Sequence, residues 1–446
     1  ARYIVTMANA ISEAVNSGSA LRVAVLGGGV AGCAFTYGIR QHFARRAPGS
    51  RTGNESRSMI GPSTPTNRPV ELEIFEMGYA AGGRTATRGS RDIPALRINH
   101  GAPCFDVVSP RFRMACEELA AEGFVKPFDG VCGTLSCGDS SYEFTPNAHS
   151  DLFVGTPGMS ALCRGLLNGV SQTEDCNLQV SPRFSTMVRG IKWVQGSGWR
   201  LYDETNELLG EFDWLAITSS GICHSRWTDT FGDQPPMLEA AAALGDPHLD
   251  QAIACVAKLD NHPVSTVMMA FTGEAAEAWG ALPFSIAKCE DNENVAKLVV
   301  ERLEDGMVTV VVHSTKKFAD ATAGIYGSTS TVARVTSKGS QDGQSSAGDG
   351  PSERDVIDML VTSLQCILVP NHMTEEQFKA RAMWGPHLHR WGAAFPMTNG
   401  LDPTHAHIPS AQVVFCGDYV SDSPSGRVED AAISGLAAAD ALMSNL

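Results

Sequence analysis

The chain has 446 residues, 43% of them hydrophobic, enough to bury two or three separate cores. A net charge of -15 and a pI near 5.2 leave no dense lysine and arginine field for a nucleic acid, and no apolar run approaches the ~18 residues a bilayer span needs. Twelve cysteines lie scattered, and the pair Cys132 and Cys137 lacks the second pair that a zinc site would require, so no metal is expected and the thiols read as free.

Residues 1–20 read as a weakly amphipathic helix without the apolar stretch of a secretory signal. Together with alanine-rich helices further on, this points to organellar import, the chloroplast ahead of the mitochondrion, with the cytoplasm as the remaining alternative. An apolar strand from Val23 then runs into Gly27, Gly29 and Gly32, spaced G-x-G-x-x-G, and on into a helix expected over residues 34–43. Gly27 permits the tight turn. Gly29, with Val30 and Ala31 behind it, lets backbone N–H groups approach a pyrophosphate, and Gly32 allows close helix–strand packing. Residues 46–69 are rich in Ser, Arg, Pro and Gly, lack periodicity, and read as a surface insertion. That insertion explains why the next acidic strand end, Glu76, stands 76 minus 27, or 49, residues beyond Gly27 rather than about 20. Glu76 closes the alternating strand Val-Glu-Leu-Glu-Ile-Phe-Glu and is placed to accept a hydrogen bond from a ribose hydroxyl.

Next come Gly82-Gly83-Arg84 and His100-Gly101-Ala102. The order G-x-G-x-x-G, acidic strand end, G-G-R, H-G-A resembles the FAD-dependent amine oxidase superfamily, and within it the renalase-like branch. Collinear segments extend the resemblance over nearly the whole chain outside the insertions: Pro157-Gly-Met-Ser-Ala-Leu162, Gly198-Trp-Arg-Leu-Tyr202, Phe212-Asp-Trp-Leu-Ala-Ile217, Pro263 to Phe271, Val311 to Phe318, and His389-Arg-Trp391. A second glycine-marked segment, Val413-Val-Phe-Cys-Gly417-Asp418 followed by Gly426-Arg427-Val428, completes the set.

The resemblance implies an α/β fold in which a Rossmann-like FAD-binding domain is interleaved with a smaller α+β substrate domain. The FAD domain would comprise residues 20–105, 150–222 and 405–446; the substrate domain, 106–149 and 223–404. It implies noncovalent FAD, since Cys416 is not at the superfamily's attachment point. Gly83 and Arg84 would lie around the phosphates and flavin, with Gly101 and Ala102 in the H-G-A turn nearby. Val188 would present its backbone to the adenine, and Asp418 would hold the ribityl-phosphate region. Arg427 and Val428 would lie under the isoalloxazine, where a helix N-terminus favours negative charge.

The chain departs from the branch where chemistry would occur. Pro103-Cys104 replaces the usual Gln-Tyr, Phe318 a frequent Trp, and Tyr419 a Trp, and no lysine is assignable as the one that positions water in polyamine and monoamine oxidases. Pro103, Cys104, His313, Phe318, Arg390 and Trp391 are the candidates for the flavin face or pocket; none is assigned as catalytic. The pairs His387/His389 and His405/His407 place two imidazoles on one face of an extended segment without the acids or thiols of a metal site. The expected activity is oxidation of a small reductant, a dihydronicotinamide-type compound ahead of an amine, with hydride transfer to the flavin and dioxygen as acceptor. The alternative is a flavin-fold scaffold bound to a larger organellar protein complex, suggested by Pro103-Cys104 and by the insertions at 46–69 and 336–353.

Overall fold

The computed structural model describes residues 19–46, 68–138, 141–148, 151–168, 177–339, 351–397, 400–421 and 426–445. The helix expected over 1–20 and most of both insertions lie outside these residues. The described chain forms two compact units: one from parts of Ala1–Gly83, Cys163–Leu259 and Asn399–Leu446, the other from Arg84–Leu162 and Asp260–Thr398.

The first unit is built on β1 (Leu21–Leu26), α1 (Val30–Arg46), β2 (Val70–Glu76), β3 (Leu178–Phe184), β4 (Trp214–Ile217), β5 (His407–Ile408), β6 (Val413–Phe415) and α2 (Val428–Ser444). Its sheet runs β3-β2-β1-β4-β6-β5, parallel throughout except for β5. Val23, Ala24 and Val25 of β1 are fully buried, as a central parallel strand covered on both faces requires. β2 alternates instead, burying Val70, Leu72 and Ile74 while Glu73 meets Arg22 and Arg183. Pro182, which donates no ladder bond, sits on β3 at the sheet edge. Helices α1 and α2 touch through small residues: a side chain on Gly435 would strike the Ala31 carbonyl, and one on Gly38 would come 2.7 Å from the Ala439 methyl.

The second unit holds a seven-stranded mixed sheet. From one edge its strands are Trp384–Pro396, Asn261–Phe271, Val308–Ser314, Val295–Arg302, Ile286–Cys289, Cys132–Cys137 and Tyr142–Pro146. All neighbours are antiparallel except Ile286–Cys289 with Cys132–Cys137. Period-2 alternation splits the sheet into two different faces. Val267, Met269, Leu298, Val300, Val310, Val312 and Leu388 point into a core closed by the helices Glu353–Leu368 and Gly273–Gly280. The other face has a smaller apolar cluster around Met268, Val299 and Val311 and is otherwise polar.

The units divide the chain differently from the sequence-based boundaries. Residues 84–105 cluster with the second unit because Thr87–Arg88 pairs with Ile98–Asn99, and the Asn99 carboxamide accepts from Thr87 Oγ1 and the Met159 N–H. Residues 223–259 cluster with the first, where the buried His224 ring bonds the Leu259 carbonyl and Arg189 reaches the Phe231 carbonyl.

Candidate functional site

The glycine loop of the first unit assigns a different duty to each glycine. Gly27 has φ +125°, and a side chain there would strike Thr218 Oγ1, which itself donates to the carbonyls of Leu26 and Gly27. A side chain on Gly32 would strike the Gly27 carbonyl, so the first turn of α1 can close onto β1 only with glycine present. A Cβ on Gly29 would meet nothing within 4 Å: this backbone faces open space beside the N-terminus of α1. Turn, packing and ligand approach thus fall on separate residues, as a dinucleotide cradle requires.

Glu76 is tied into the same cradle. One carboxylate oxygen accepts from the Gly28 N–H at 2.9 Å and the other from the Gly78 N–H at 2.6 Å. Burial pushes its carboxyl up, and those two N–H groups pull it back down. Each oxygen keeps a further lone pair for a ribose hydroxyl, so Glu76 both fixes the loop and remains an acceptor. The strand end also receives the chain leading to Val188: Thr186 N–H donates to the Glu76 carbonyl and Ser185 N–H to that of Gly78. Val188 is buried. Gly82 N–H donates to the Gly28 carbonyl at 2.9 Å, and Gly83, at φ +53°, would bring a Cβ 3.3 Å from the Gly29 Cα. The G-G pair is therefore laid directly along the glycine loop.

The second glycine-marked segment belongs to the same unit. Gly417 has φ +154° and donates its N–H to the buried Ser434 hydroxyl of α2 at 2.8 Å. The preceding Cys416 N–H donates to the Ile217 carbonyl at the end of β4. Asp418 is buried beside it, and Tyr419 donates its hydroxyl to the Ile217 carbonyl at 3.0 Å. Arg427 stands at the N-terminus of α2 without a capping hydrogen bond from its side chain, which meets Asp430 at 3.0 Å and buried Glu429 at 3.8 Å. Two carboxylates in the first turn already complement the positive helix end, so this terminus offers an anionic flavin less than the sequence suggested. These residues still fit FAD: an open backbone at Gly29, an anchored carboxylate at Glu76, and the Asp418 segment all stand in one unit.

In the second unit, the H-G-A turn is shaped by backbone contact. Ala102 N–H donates to the Arg84 carbonyl at 2.9 Å, and any side chain on Gly101 would strike that same oxygen. The Arg84 guanidinium donates to the Ala394 carbonyl at 2.9 Å. The His100 carbonyl is a focal acceptor, bonded by His313 Nε2 and Trp391 Nε1, each at 3.2 Å. The His100 ring stacks on Trp391 at 5.1 Å and meets His389 edge-on at 4.8 Å. Burial holds all three imidazoles neutral, His100 down to about 4, with Arg88, Lys297 and neighbouring rings adding to the effect.

Of the six pocket candidates, half-buried Pro103 immediately precedes Cys104, and the other five do not share one face. His313, Trp391 and Cys104 belong to the polar side, where burial pushes the Cys104 thiol up to about 12 and makes it a poor nucleophile. Phe318 lies instead in the apolar core of the opposite face, and Arg390 turns the same way to donate to the Ala319 carbonyl. Lys316 and Lys317 pair with Asp320 and Glu293. Lys297 and Glu301 escaped the sequence reading. Both sit on the polar face of Val295–Arg302; burial lowers Lys297 to about 8 and raises Glu301 to about 7, the latter against a hydrogen bond from Asn99 Nδ2. The parity of Lys297, Val299 and Glu301 was the available signal, since Val299 belongs to a buried cluster. Among the described residues no group of three or more His, Cys, Asp or Glu is arranged to hold a metal, and no helix is long and apolar enough to cross a membrane.

No family model matches the chain, and no curated protein sequence does. Solved structures do match. Wild-type putrescine oxidase bound to putrescine is 12% identical and aligns over 95% of this chain and 100% of its own, with a TM-score of 0.54. A redesigned double mutant of putrescine oxidase aligns over the same shares at 14% identity and a TM-score of 0.53. An oxidoreductase from Methanosarcina mazei, 11% identical, covers 94% of this chain and 100% of its own at 0.54. The likeness is one of fold: the chain has the two-part α/β architecture of the flavin-dependent amine oxidases.

Proposed function

We propose that the chain is an FAD-dependent oxidoreductase of the renalase-like kind that oxidises a small reductant. The observation that carries this reading is the cradle of the first unit, in which Gly29 faces open space while Gly27 and Gly32 are used up by turn and packing and Glu76 is hydrogen-bonded into the loop. Bound noncovalently, FAD would supply the hydride acceptor and hand two electrons on to dioxygen, releasing hydrogen peroxide. Gly27, Gly29, Gly32 and the first turn of α1 would hold the pyrophosphate, Glu76 a ribose, Val188 the adenine, and Asp418 the ribityl end. Hydride transfer asks no general base of the protein, which accords with the neutral imidazoles and inert thiol of the second unit. A dihydronicotinamide-type reductant is favoured over an amine because no lysine is assignable as the one that positions water in polyamine and monoamine oxidases.

The purified protein is expected to absorb near ~375 and ~450 nm, to bleach anaerobically with reduced nicotinamides, and to regain colour in air with one peroxide per turnover. Flavin retained without bleaching by any reduced nicotinamide or amine, together with co-purification in a large complex, would favour the scaffold alternative. A colourless protein that does not take up added FAD would end both readings.

A further inference from the structure

The register of the second unit's sheet lines up a row of basic groups across five neighbouring strands. Lys288 pairs with Lys297, Lys297 with His313, His313 with Thr266, and Thr266 with His389. Directly paired residues project to the same side of a sheet with Cβ atoms about 5 Å apart, and like charges so placed repel. No carboxylate stands in the row. The ionisable groups that act on Lys297 are Cys104, whose thiol burial keeps protonated, and Lys288, and no ion pair of Lys297 occurs among the described residues. Glu301 shares the face two positions along the strand pattern, but its partners are Asn99 and Lys126.

An ammonium so deep in the fold without a counterion is costly, by several kcal/mol in general. Lys297 nevertheless keeps accessible surface, whereas Thr266 and His313 are closed off. At the far end of the row, three strands from Lys297, the His389 ring leaves Nδ1 buried and without a hydrogen-bond partner. Two adjacent lysines, no acid in the row and one reachable ammonium without an ion pair leave the Lys297 end short of an anion.

We propose that the Lys297 end of this row binds an oxyanion, a carboxylate or a phosphate, in preference to an amine. The proposal does not rest on the oxidoreductase reading, and binding does not depend on the flavin. Neutral His313 and His389 leave Lys297 as the principal positive charge on this side of the row, with exposed Lys288 reinforcing it.

The test is titration of the intact, as-isolated protein with benzoate, inorganic phosphate and benzylamine, followed by intrinsic tryptophan fluorescence and by calorimetry. Saturable binding of benzoate or phosphate is expected, with whichever binds tighter naming the source of the oxyanion. Affinity should drop about tenfold or more in Lys297→Met, be largely kept in Lys297→Arg, and decline as pH rises through about 8, where Lys297 gives up its proton. The titratable groups on this face are Lys288, His313, Cys104, Glu301 further along the same strand, and, through the imidazole cluster, His100 and His389; the histidines are already neutral near pH 8, and Glu301, which ionises near 7, is controlled for by repeating the titration in Glu301→Gln. No oxyanion binding by wild type, equal binding by Lys297→Met, or preferred binding of benzylamine would overturn the proposal. Lys297→Met removes an unpaired buried charge and should fold; were it not to, Lys297→Arg against wild type across the pH range still decides, since arginine keeps its charge and its binding should not fall near pH 8. Oxyanion binding in a protein that never bleaches would uphold this site while ending the oxidoreductase reading.

Discussion

Gly29 and Gly32 are three residues apart and do opposite work, which makes them a matched pair of probes. A methyl group on Gly29 enters empty space, so Gly29→Ala should leave the melting temperature within about 2 °C of wild type yet weaken FAD retention, because the methyl stands where the pyrophosphate would approach. On Gly32 the same methyl strikes the Gly27 carbonyl, and Gly32→Ala should cost roughly 1–3 kcal/mol of stability with or without flavin. Thermal melts of FAD-free protein separate the two; equal destabilisation would contradict the assignment of an open face to Gly29. Glu301 offers a second test, with a defined sign. Burial raises its carboxyl from 4.5 to about 7, so the folded state holds the proton more tightly than the unfolded chain. Its favourable contribution is complete below pH 4.5 and is lost as pH rises through about 7, a swing of about 3 kcal/mol. Glu301→Gln keeps an oxygen to accept from Asn99 and discards the charge. It should therefore be neutral in urea unfolding at pH 4.5 and stabilising by up to that amount at pH 8.

At the scale of elements, what was legible in the sequence was what is local. The run from Val23 through Gly32 specifies strand, turn and helix within about a dozen residues, and the structure places β1 and α1 there, the helix opening at Val30 and reaching Arg46 rather than covering only 34–43. The basic row was not legible, because Lys288, Lys297, His313, Thr266 and His389 become neighbours only through the sheet register, whose pairings range from Lys288–Lys297, 297 minus 288 or 9 residues apart, to Thr266–His389, 389 minus 266 or 123 apart. Arg390 and Trp391 separate because alternate residues of a strand face opposite ways, whereas Phe318 lies past the end of the His313 strand, in the helix Lys316–Ala321 that packs into the apolar core. Arg427 was readable as standing just before a helix, but its engagement by Glu429 and Asp430 depends on rotamers that no motif encodes. The α1–α2 contact is testable at this scale. Gly435→Val would push branched carbon into the Ala31 carbonyl and should destabilise by roughly 1–3 kcal/mol or more, with a lower urea midpoint and an unchanged m-value.

For the whole molecule, the important fact is that the candidate FAD cradle is assembled from three stretches of chain that all belong to one unit. β1 and β2 come from the first stretch, β3, β4 and Val188 from the second, and β6, Asp418 and α2 from the third. A ligand held by all three closes the loops between them, so its binding energy becomes folding energy of that unit. The second unit has its own core around Val310, Val312 and Leu364 and contains none of those stretches. FAD at a thousandfold excess over its dissociation constant should therefore raise the stability of the first unit by about 4 kcal/mol. Hydrogen exchange followed with and without FAD should slow in β1, β4 and β6, while amides of the Glu353–Leu368 helix change by much less. Protection appearing only in the first stretch would mean that the Gly417 segment does not grip the ligand, and the cradle would have to be redrawn around Gly29 and Glu76 alone.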